Sequence, residues 1–436
     1  MRNLSMEPVD RVSEEKPTRQ RVVLAIILFV TLTVAYFDRV NVSVLLADPT
    51  FIAEMNLKSS PTAQGLLMSL FLFAYSFGNI ILGPIGDKIG PRKAMTLSIF
   101  SWGISMIVGG MSRTLNSVFA SRLILGIGEA MHWPVQSLYV KNWFPLSERG
   151  KANSAWVVGL MAAPAVAMPL FTSIIGNWGW QASFWFCAVL GFALLPLIWF
   201  MTTDKPEQST RINKAELDFI VTGQREEREK EAALIKAQKD GTFWTSARIV
   251  IANPYFWLNA ISYWGSATMW WGTMAWLPSY LKVARGFSWT QMGMLSSLPF
   301  ILGAISIILV GIISDKYARR APFSALGLLG CALFLYIGAV VQDNMMSAYA
   351  IAVAMFFLGI NVPMAWSITQ AVVPANLVGA AAGLHNGMSQ LVAAAAPLMI
   401  GYLIGITGSY VGGIMYMVAF GGIGALCAIA LIPKKL

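Results

Sequence analysis

The chain has 436 residues, of which 56% are hydrophobic and 12% charged, and its formal net charge is +10. Soluble domains usually carry about 25% charged residues, so this composition argues against a water-soluble protein and favours one surrounded by lipid. The positive charge does not predict a nucleic-acid partner, because the basic residues fall in alternate loops between apolar runs.

The predicted elements begin with a polar tail at residues 1–21, which has neither the apolar core nor the cleavage site of a signal peptide. A membrane-spanning helix needs about 20 mainly apolar residues. Residues 22–202 form a predicted N-terminal bundle with six such runs, at 22–46, 62–83, 94–111, 115–138, 153–175 and 183–202. Residues 250–436 form a second bundle with runs at 254–281, 290–313, 322–341, 346–369, 380–405 and 410–432.

The segment 203–249 is the one long polar insertion between the bundles. Its middle, from Ala215 to Gln238, is predicted to form a helix with charges of both signs. We interpret the insertion as a solvated cytoplasmic linker, because it contains no pattern typical of a catalytic site.

The distribution of basic residues predicts the orientation. With the N-terminus inside, the cytoplasmic segments hold 25 of the 31 Lys and Arg residues. Because positive residues favour the cytoplasmic side, both termini are predicted to be cytoplasmic. We expect a multi-pass protein of a bacterial inner membrane.

The two halves repeat a loop. Gly83 precedes Asp87 by four residues, Gly311 precedes Asp315 by the same spacing, and basic residues follow in both copies. Duplicated halves are typical of transporters that rock about a central site. Asp87 and Asp315 lie at predicted cytoplasmic helix ends, where a gating role and a structural role are both open.

Four charged residues lie deep within the predicted spans, and all are in the first half: Asp38, Arg39, Arg122 and Glu129. Charges inside a membrane are costly and therefore mark functional sites. Asp38 and Arg39 point about 100° apart on a helix, whereas Arg122 and Glu129 share a face at about 10 Å along the axis. This spacing allows partners to exchange between the two helices, although a static network of salt bridges is the alternative.

The repeated loops resemble the signature loop of the major facilitator superfamily, which places basic residues such as Arg92 after the aspartate. Tyr36-Phe-Asp38-Arg39-Val-Asn41 resembles the helix 1 motif of its anion:cation symporter family. Arg122-Leu-Ile-Leu-Gly126-Ile-Gly128-Glu129 and Trp143-Phe-Pro145 resemble the family's helix 4 and the following loop. That family contains bacterial sugar-acid transporters and sialin-type carriers. The resemblance implies an all-α membrane protein with twelve transmembrane helices in two pseudo-symmetric six-helix bundles.

The charges within the predicted spans, together with the resemblance, suggest roles for particular residues. Arg39 would bind the substrate anion, since a guanidinium offers a planar fork of donors to a carboxylate. Asp38 and Glu129 would carry protons, while Arg122 is either their coupling partner or a structural clamp. Asp87, Arg92 and Asp315 would act in gating. The other expected substrate-binding residues are Tyr36, Tyr75, Trp366, Ser367 and Asn386.

Two positions depart from galactonate-type members, where we expect glutamines. Leu160 and Tyr263 stand there instead and remove amides from the presumed pocket. Several tryptophans add aromatic bulk, so a less hydroxylated anion is an open alternative to a sugar acid. His132, three residues after Glu129, and His385 are interpreted mainly as packing residues.

The expected function is import of a small organic anion by proton symport. An anion exchanger and a sodium-coupled carrier are the alternatives. No enzyme is predicted, because the sequence has no metal-ligand cluster, no nucleophile with a base and only two histidines. We expect no cofactor and no metal, a lipid bilayer and protons as partners besides the anion, and a monomer.

Overall fold

The computed structural model describes residues 16–237, 248–317, 319–373 and 378–434, without the side chains of 83–87, 146, 157, 226–228, 230–237, 311–317 and 378–380. Most of the predicted tail at 1–21, part of the linker at 203–249 and Lys435 therefore lie outside the described residues. The described chain is helical throughout and contains no strand.

The first half contains nine helices. They are α1 Gln20–Leu45, α2 Pro49–Glu54, α3 Pro61–Ile89, α4 Pro91–Gly110, α5 Leu115–Glu129, α6 His132–Trp143, α7 Leu146–Val157, α8 Gly159–Trp178 and α9 Trp180–Met201. Helix α10, Lys214–Ala237, follows in the predicted linker. The second half contains α11 Pro254–Ser279, α12 Trp289–Tyr317, α13 Ala321–Val340, α14 Asn344–Val372, α15 Val378–Thr407 and α16 Tyr410–Leu431.

Nine segments of the described chain are long and apolar enough to cross a bilayer. The three other predicted spans are also helical, but they miss the length or hydropathy of the rest. The span near 94–111 is α4, which carries Arg92 and Lys93 in its first turn. The span near 115–138 is divided into α5 and α6, and the span near 254–281 is α11, which is rich in Trp, Tyr and Ser.

The helices before residue 202 pack mainly on one another, as do those after residue 253. In the first group α3 packs on α5 and α4 on α9, and in the second α13 packs on α14 and α16. The two groups meet through three helix pairs: α3 with α15, α8 with α12, and α1 with α11. We call the side where α1 and α11 begin the near face, and the side where they end the far face.

The contacts between the two groups form a seam toward the far face. Ser279 Oγ donates to the Leu46 carbonyl at 2.8 Å, and Trp289 Nε1 donates to the Thr172 carbonyl at 2.7 Å. Leu398 N donates to Ser69 Oγ at 3.0 Å. No other hydrogen bond joins the two groups within the described part of the chain. The hydrogen bonds that join the two groups are therefore concentrated toward the far face.

Glycine makes this close approach possible. A Cβ added at Gly65 would lie 2.2 Å from the Pro397 carbonyl oxygen, and one added at Gly401 would lie 2.3 Å from the Pro61 carbonyl oxygen. Neither position leaves room for a methyl group, because real Cβ contacts are longer. The close packing of α3 on α15 therefore requires glycine at both positions, because each glycine faces backbone atoms of the other helix.

The linker differs from the expected solvated segment, because the first part of α10 is docked on the first half. Glu216 is fully buried and accepts hydrogen bonds from Thr18 Oγ1, Gln20 N and both the backbone and guanidinium of Arg21. Gln224 Nε2 donates to three carbonyls at the end of α6. The charged sequence of the linker predicted a helix surrounded by water. In the structure, the buried Glu216 instead connects this helix to the start of α1 through hydrogen bonds.

Candidate functional site

The centre of the site is an ion pair between α1 and α5. Arg39 Nε donates to Glu129 Oε2 at 2.8 Å, and Arg39 Nη2 lies 2.6 Å from the same oxygen. Arg39 is 3% exposed and Glu129 is fully buried. Because both charges are removed from water, each depends on the other, and removing one partner would leave an uncompensated buried charge.

Local packing explains why Glu129 reaches α1. Gly126, one turn earlier, lies against the backbone of α3, where an added Cβ would be 2.5 Å from the Phe71 carbonyl oxygen. This close approach draws the end of α5 into the interior. The helix then breaks at Ala130 and Met131, and Asn79 Nδ2 of α3 donates to the Ala130 carbonyl at 3.1 Å. Pro134 has no N–H to donate to the Ala130 carbonyl four residues earlier, which accounts for the break and leaves that carbonyl to Asn79. The prediction of one continuous run from 115 to 138 missed this signal.

Aromatic rings surround the Arg39 guanidinium. Its carbon lies 4.5 Å from the ring centroid of Tyr36, 5.1 Å from that of Tyr75 and 5.2 Å from that of Phe71. The ring of Trp271, on α11 of the second half, is 6.0 Å away. The faces of such rings attract cations. The structure thus places predicted Tyr36 and Tyr75 beside Arg39, and it adds Phe71 and Trp271, for which the sequence gave no role.

Asp38 faces a different partner from its neighbour Arg39, as helical geometry requires. Neither carboxylate oxygen of this fully buried side chain accepts a hydrogen bond from an N–H or O–H donor among the described residues, and its nearest partner is a thiol. The Cys187 thiol of α9 lies beside it. Arg122 Nη1 donates at 3.3 Å to the backbone carbonyl of Asp38 rather than to its carboxylate. The predicted proximity of these two residues is present, but not a salt bridge.

Arg122 is held mainly by backbone groups. Its Nε donates to the Leu67 carbonyl at 3.3 Å, and its carbon lies 4.9 Å from the Phe71 ring. The remaining nitrogen, Nη2, has no described partner. Arg122 therefore contacts α1 and α3 together, which fits either role considered for it, a clamp or a coupling partner.

His132 and Gln136 form a buried pair on α6. Gln136 Nε2 lies 3.1 Å from His132 Nε2 and donates to the Leu28 carbonyl and to Thr31 Oγ1 of α1. The His132 ring packs edge-on against Trp102 at 5.4 Å. Gln136 joins α6 to α1 on the near-face side of the ion pair. Sequence reasoning missed this residue because an isolated glutamine belongs to no recognisable motif.

In the second half, Trp366 of α14 contacts two rings: Tyr263, at a position expected in the pocket, and His385, which was interpreted mainly as a packing residue. Tyr263 of α11 and His385 of α15 are stacked, with centroids 4.8 Å apart and an interplanar angle of 29°. Trp366 meets Tyr263 edge-on at 5.9 Å and His385 at 5.4 Å. The predicted residues Ser367 and Asn386 are half-buried on the same two helices, α14 and α15.

The predicted gating residues are only partly described. Asp87 lies on α3 and Asp315 on α12, but their side chains are outside the described residues. The Arg92 guanidinium packs on Trp199 of α9 at 4.3 Å, and its backbone N–H donates to the Asp204 carboxylate at 2.8 Å. Arg92 therefore contacts the same half of the protein in this structure, and its gating role stays a prediction.

The arrangement can bind an anion and respond to protons. Arg39 offers a charged fork in an aromatic surround, and Glu129 and Asp38 offer two buried carboxylates nearby. In the described part of the chain, no group of three or more His, Cys, Asp or Glu side chains could hold a metal ion. The groups that the described site offers are a guanidinium, two carboxylates and aromatic rings.

Known proteins of similar sequence are transporters. The chain is 29% identical to the probable sulfoacetate transporter of Cupriavidus necator, over 92% of this chain and 91% of that protein. It is 28% identical to the probable galactarate/D-glucarate transporter of Escherichia coli K12, over 96% and 93%. Identity to the D-galactonate transporter of Escherichia coli O6:H1 is 27%, over 97% of both proteins.

Solved structures show the same fold. A bacterial homologue of the human lysosomal transporter Spinster matches with a TM-score of 0.78 at 16% identity, over 96% of this chain and 98% of that one. The D-xylose–proton symporter matches with a TM-score of 0.70 at 16% identity, over 95% and 98%.

The sequence profile of the Major Facilitator Superfamily matches residues 28–397, which is most of the chain. The members of this family are transporters, so the prediction that the chain is not an enzyme is confirmed. The nine long apolar helices of the described chain agree with a multi-pass location in a membrane. The chain belongs to the major facilitator superfamily of membrane transporters.

Proposed function

We propose that this protein imports a small organic anion, such as a sugar acid or another carboxylate, by proton symport with alternating access. In this proposal the two helix groups, 22–202 and 250–436, are six-helix bundles with twelve spans in total. The near face is cytoplasmic by the positive-inside rule, in the inner membrane of a bacterium. The closed seam at the far face then corresponds to an inward-facing conformation of a monomer.

The observation that supports the proposal most is the buried Arg39–Glu129 ion pair between α1 and α5. A substrate carboxylate and the Glu129 carboxylate compete for one guanidinium. Protonation of Glu129 removes its charge and frees the fork of Arg39 for the substrate. Release of that proton would restore the ion pair and displace the substrate, which links the two fluxes.

Asp38 supplies a second proton site in this scheme. An ionised carboxylate without a partner is expensive to bury, and binding a proton removes that expense. Movement of α1 relative to Arg122 and Cys187 during the transport cycle would change the surroundings of Asp38. Its proton could then be taken up on one side of the membrane and released on the other.

The relatives support the class of substrate. The substrates in their names, sulfoacetate, galactarate, D-glucarate and D-galactonate, share a small anionic acid group. Arg39 fits that shared group, whereas the rest of each molecule differs. An anion exchanger would need neither Asp38 nor Glu129, and a sodium-coupled carrier is the second alternative.

A binding screen followed by an uptake assay tests the proposal. The purified protein is screened by thermal shift against sugar acids, aromatic acids and dicarboxylates, and the strongest hit is labelled for uptake into proteoliposomes. We expect an inward proton gradient to stimulate uptake and a protonophore to abolish accumulation. Equal uptake with the gradient present and collapsed, at fixed membrane potential and sodium concentration, would remove proton coupling from the proposal.

A further inference from the structure

The carboxylate of Glu129 is held through one of its two oxygens. Oε2 contacts the Arg39 guanidinium, whereas Oε1 is buried and has no described hydrogen-bond partner. Among the described residues, no side chain besides Arg39 donates a hydrogen bond to this carboxylate. Its direction toward Arg39 therefore depends on where the backbone at the end of α5 lies.

The backbone around Glu129 lies at the helix break, where two carbonyls accept hydrogen bonds from side chains. Asn79 Nδ2 of α3 donates to the Ala130 carbonyl at 3.1 Å, and Ser98 Oγ of α4 donates to the Gly128 carbonyl at 2.6 Å. These carbonyls belong to the residues immediately after and before Glu129. Two neighbouring helices thus hold the chain on both sides of this residue.

The helices that supply these donors pack closely on the break. A Cβ added at Gly78 of α3 would lie 2.7 Å from the Ala130 Cβ, and one added at Gly128 would lie 2.9 Å from the Ser101 Cβ of α4. Ser98 is fully buried as well. Because the setting is packed, loss of a donor would leave its carbonyl without a partner, which is costly for a buried polar group.

Helices α4 and α5 share a second hydrogen bond of the same kind, away from the break. Ser105 Oγ donates to the Ser121 carbonyl at 2.7 Å, and Ser105 is fully buried, as Ser98 is. Ser121 lies eight residues before Glu129, within the continuous part of α5. The contact at Ser105 therefore joins the two helices only, whereas the contact at Ser98 also lies next to Glu129.

A small change in backbone direction would matter at Glu129. Hydrogen bonds between charged groups depend on short distances and good alignment, and the contacts of Glu129 with Arg39 measure 2.8 and 2.6 Å. A loosened backbone would make Glu129 a weaker competitor for the guanidinium. An anion would then bind Arg39 with less dependence on the proton that Glu129 carries.

We propose that Asn79 and Ser98 are positioning residues that aim the Glu129 carboxylate at its partner. They do so by holding the carbonyls of Ala130 and Gly128, without contacting the transported anion. This inference rests on the proposed function, because it assumes that the anion and the ionised carboxylate compete for one guanidinium.

The pH dependence of anion binding to the full-length protein tests the proposal. The probe is whichever of sulfoacetate, D-glucarate and D-galactonate binds the parent most tightly by calorimetry. Binding to the parent should weaken from about pH 5 to about pH 8, as Glu129 loses its proton. In Ser98→Ala the ratio of the two dissociation constants should fall about three- to tenfold, the contribution of roughly one hydrogen bond. Net uptake of the probe should fall, while exchange of labelled for unlabelled probe is retained.

Ser105→Ala is the matched control. It removes the same kind of hydroxyl from the same helix, so it should lower the melting temperature about as much as Ser98→Ala does. The pH dependence of binding should stay that of the parent. Parent-like pH dependence in Ser98→Ala, with the same loss of stability as in Ser105→Ala, would overturn the positioning role and leave a structural one.

Asn79 provides a second test, which also serves if Ser98→Ala does not fold. Asn79→Ala should reduce the pH dependence in the same direction, and Asn79→Gln, which keeps an amide donor, should restore most of it. Asn79 also hydrogen-bonds the Tyr75 hydroxyl, so Tyr75→Phe is the control that removes this hydroxyl alone. An equal reduction in Tyr75→Phe would assign the effect to that hydroxyl and overturn the role of the Ala130 carbonyl.

The parent protein separates failure of this inference from failure of the proposed function. Parent binding that does not change between about pH 5 and about pH 8 would contradict proton coupling at Glu129, and the positioning role with it. Absence of binding by all three probes would count against the anion site at Arg39 and against both proposals. Only a parent with pH-dependent binding and unresponsive variants contradicts the positioning role alone.

Discussion

The two halves of this protein bury side chains of opposite chemistry. The first half carries the buried charges Asp38, Arg39, Arg122 and Glu129 within its spans. Among the described residues after 253, no Asp, Glu, Lys or Arg is buried. That half contributes rings, hydroxyls and amides instead, including Tyr263, Asn259 and His385.

This difference predicts that the two halves have different roles in transport. Buried charges respond strongly to protons and to an anionic ligand, because their energies depend on whether a partner is present. Neutral rings and amides discriminate between ligands by the shape of the ligand and by the pattern of its hydrogen-bonding groups. We therefore expect the first half to determine coupling and anion affinity, and the second half to determine which anion is preferred.

The largest effect expected on this comparison is that of Arg39→Lys. The variant keeps the charge but loses the planar fork, so substrate affinity should fall by about 100-fold and uptake should be lost. Calorimetry with the anion identified by the thermal-shift screen measures the change. Arg113→Lys, at an exposed position, is the control and should bind as the parent does. Unchanged affinity in Arg39→Lys would remove Arg39 from the substrate site.

Glu129→Gln separates coupling from binding. An amide resembles a protonated acid in shape and polarity but cannot release a proton. We expect retained binding with weaker pH dependence, loss of concentrative uptake and retention of exchange of labelled for unlabelled substrate. Counterflow and calorimetry across about pH 5–8 measure this, and the exposed Glu229→Gln is the control. A folded variant without binding at any pH would instead make Glu129 a ligand or a structural residue.

Asp38→Asn tests whether the second carboxylate belongs to the same machinery. Because the Asp38 carboxylate forms no ion pair among the described residues and has only the Cys187 thiol beside it, the amide should leave the fold and the Arg39 site intact. We expect net uptake to stop while binding changes less than about threefold. Accumulation at the parent rate would assign proton transport to Glu129 alone.

Gly65→Ala changes the packing of α3 on α15, which joins the two halves. It leaves the buried charges and the aromatic residues unchanged. Its methyl group would lie 2.2 Å from the Pro397 carbonyl oxygen, so the far face should close poorly and net uptake should fall about tenfold or more. Spin-label distances across α3 and α15 should lengthen. Gly150→Ala is the matched control, because an added Cβ there meets nothing within 4 Å. Parent-like uptake and distances in Gly65→Ala would show that the seam tolerates the methyl group.

The smallest effect is expected for Asn386→Ala, in the half whose described residues include no buried charge. Loss of one amide should weaken binding about five- to tenfold, the contribution of roughly one hydrogen bond to a charged or polar ligand group. The response of uptake to the proton gradient should not change. Loss of that response would contradict the division between the halves.

Much of the fold could be predicted from the sequence, because apolar runs and charged loops follow directly from the requirements of a bilayer. The predicted runs near 22–46 and 410–432 correspond to α1 and α16 within about two residues. The break after Glu129 was missed although the sequence contains its cause, since Pro134 cannot donate to the Ala130 carbonyl one turn earlier. The docking of α10 also escaped prediction, because a buried Glu216 looks the same in sequence as a solvated one.

The candidate site was predictable as a set of residues but not as a set of contacts. Helical spacing predicted that Asp38 and Arg39 point in different directions. It also predicted the positions of Arg122 and Glu129 along one face of a helix. It could not show that Glu129 pairs with Arg39 and that Arg122 binds the backbone of Asp38, because those contacts depend on how α1, α3 and α5 pack. Trp366 and Tyr263 were expected at the pocket, but their contacts with His385 could not be predicted for the same reason.

The seam at the far face has a consequence for ionic strength. The three hydrogen bonds that cross it are neutral, and within the described residues no ion pair joins the two halves. Added salt screens charges but leaves neutral hydrogen bonds and close packing largely unaffected. Opening and closing of the far face should therefore be insensitive to salt, and any salt dependence of uptake would report the attraction of the anion to the basic protein.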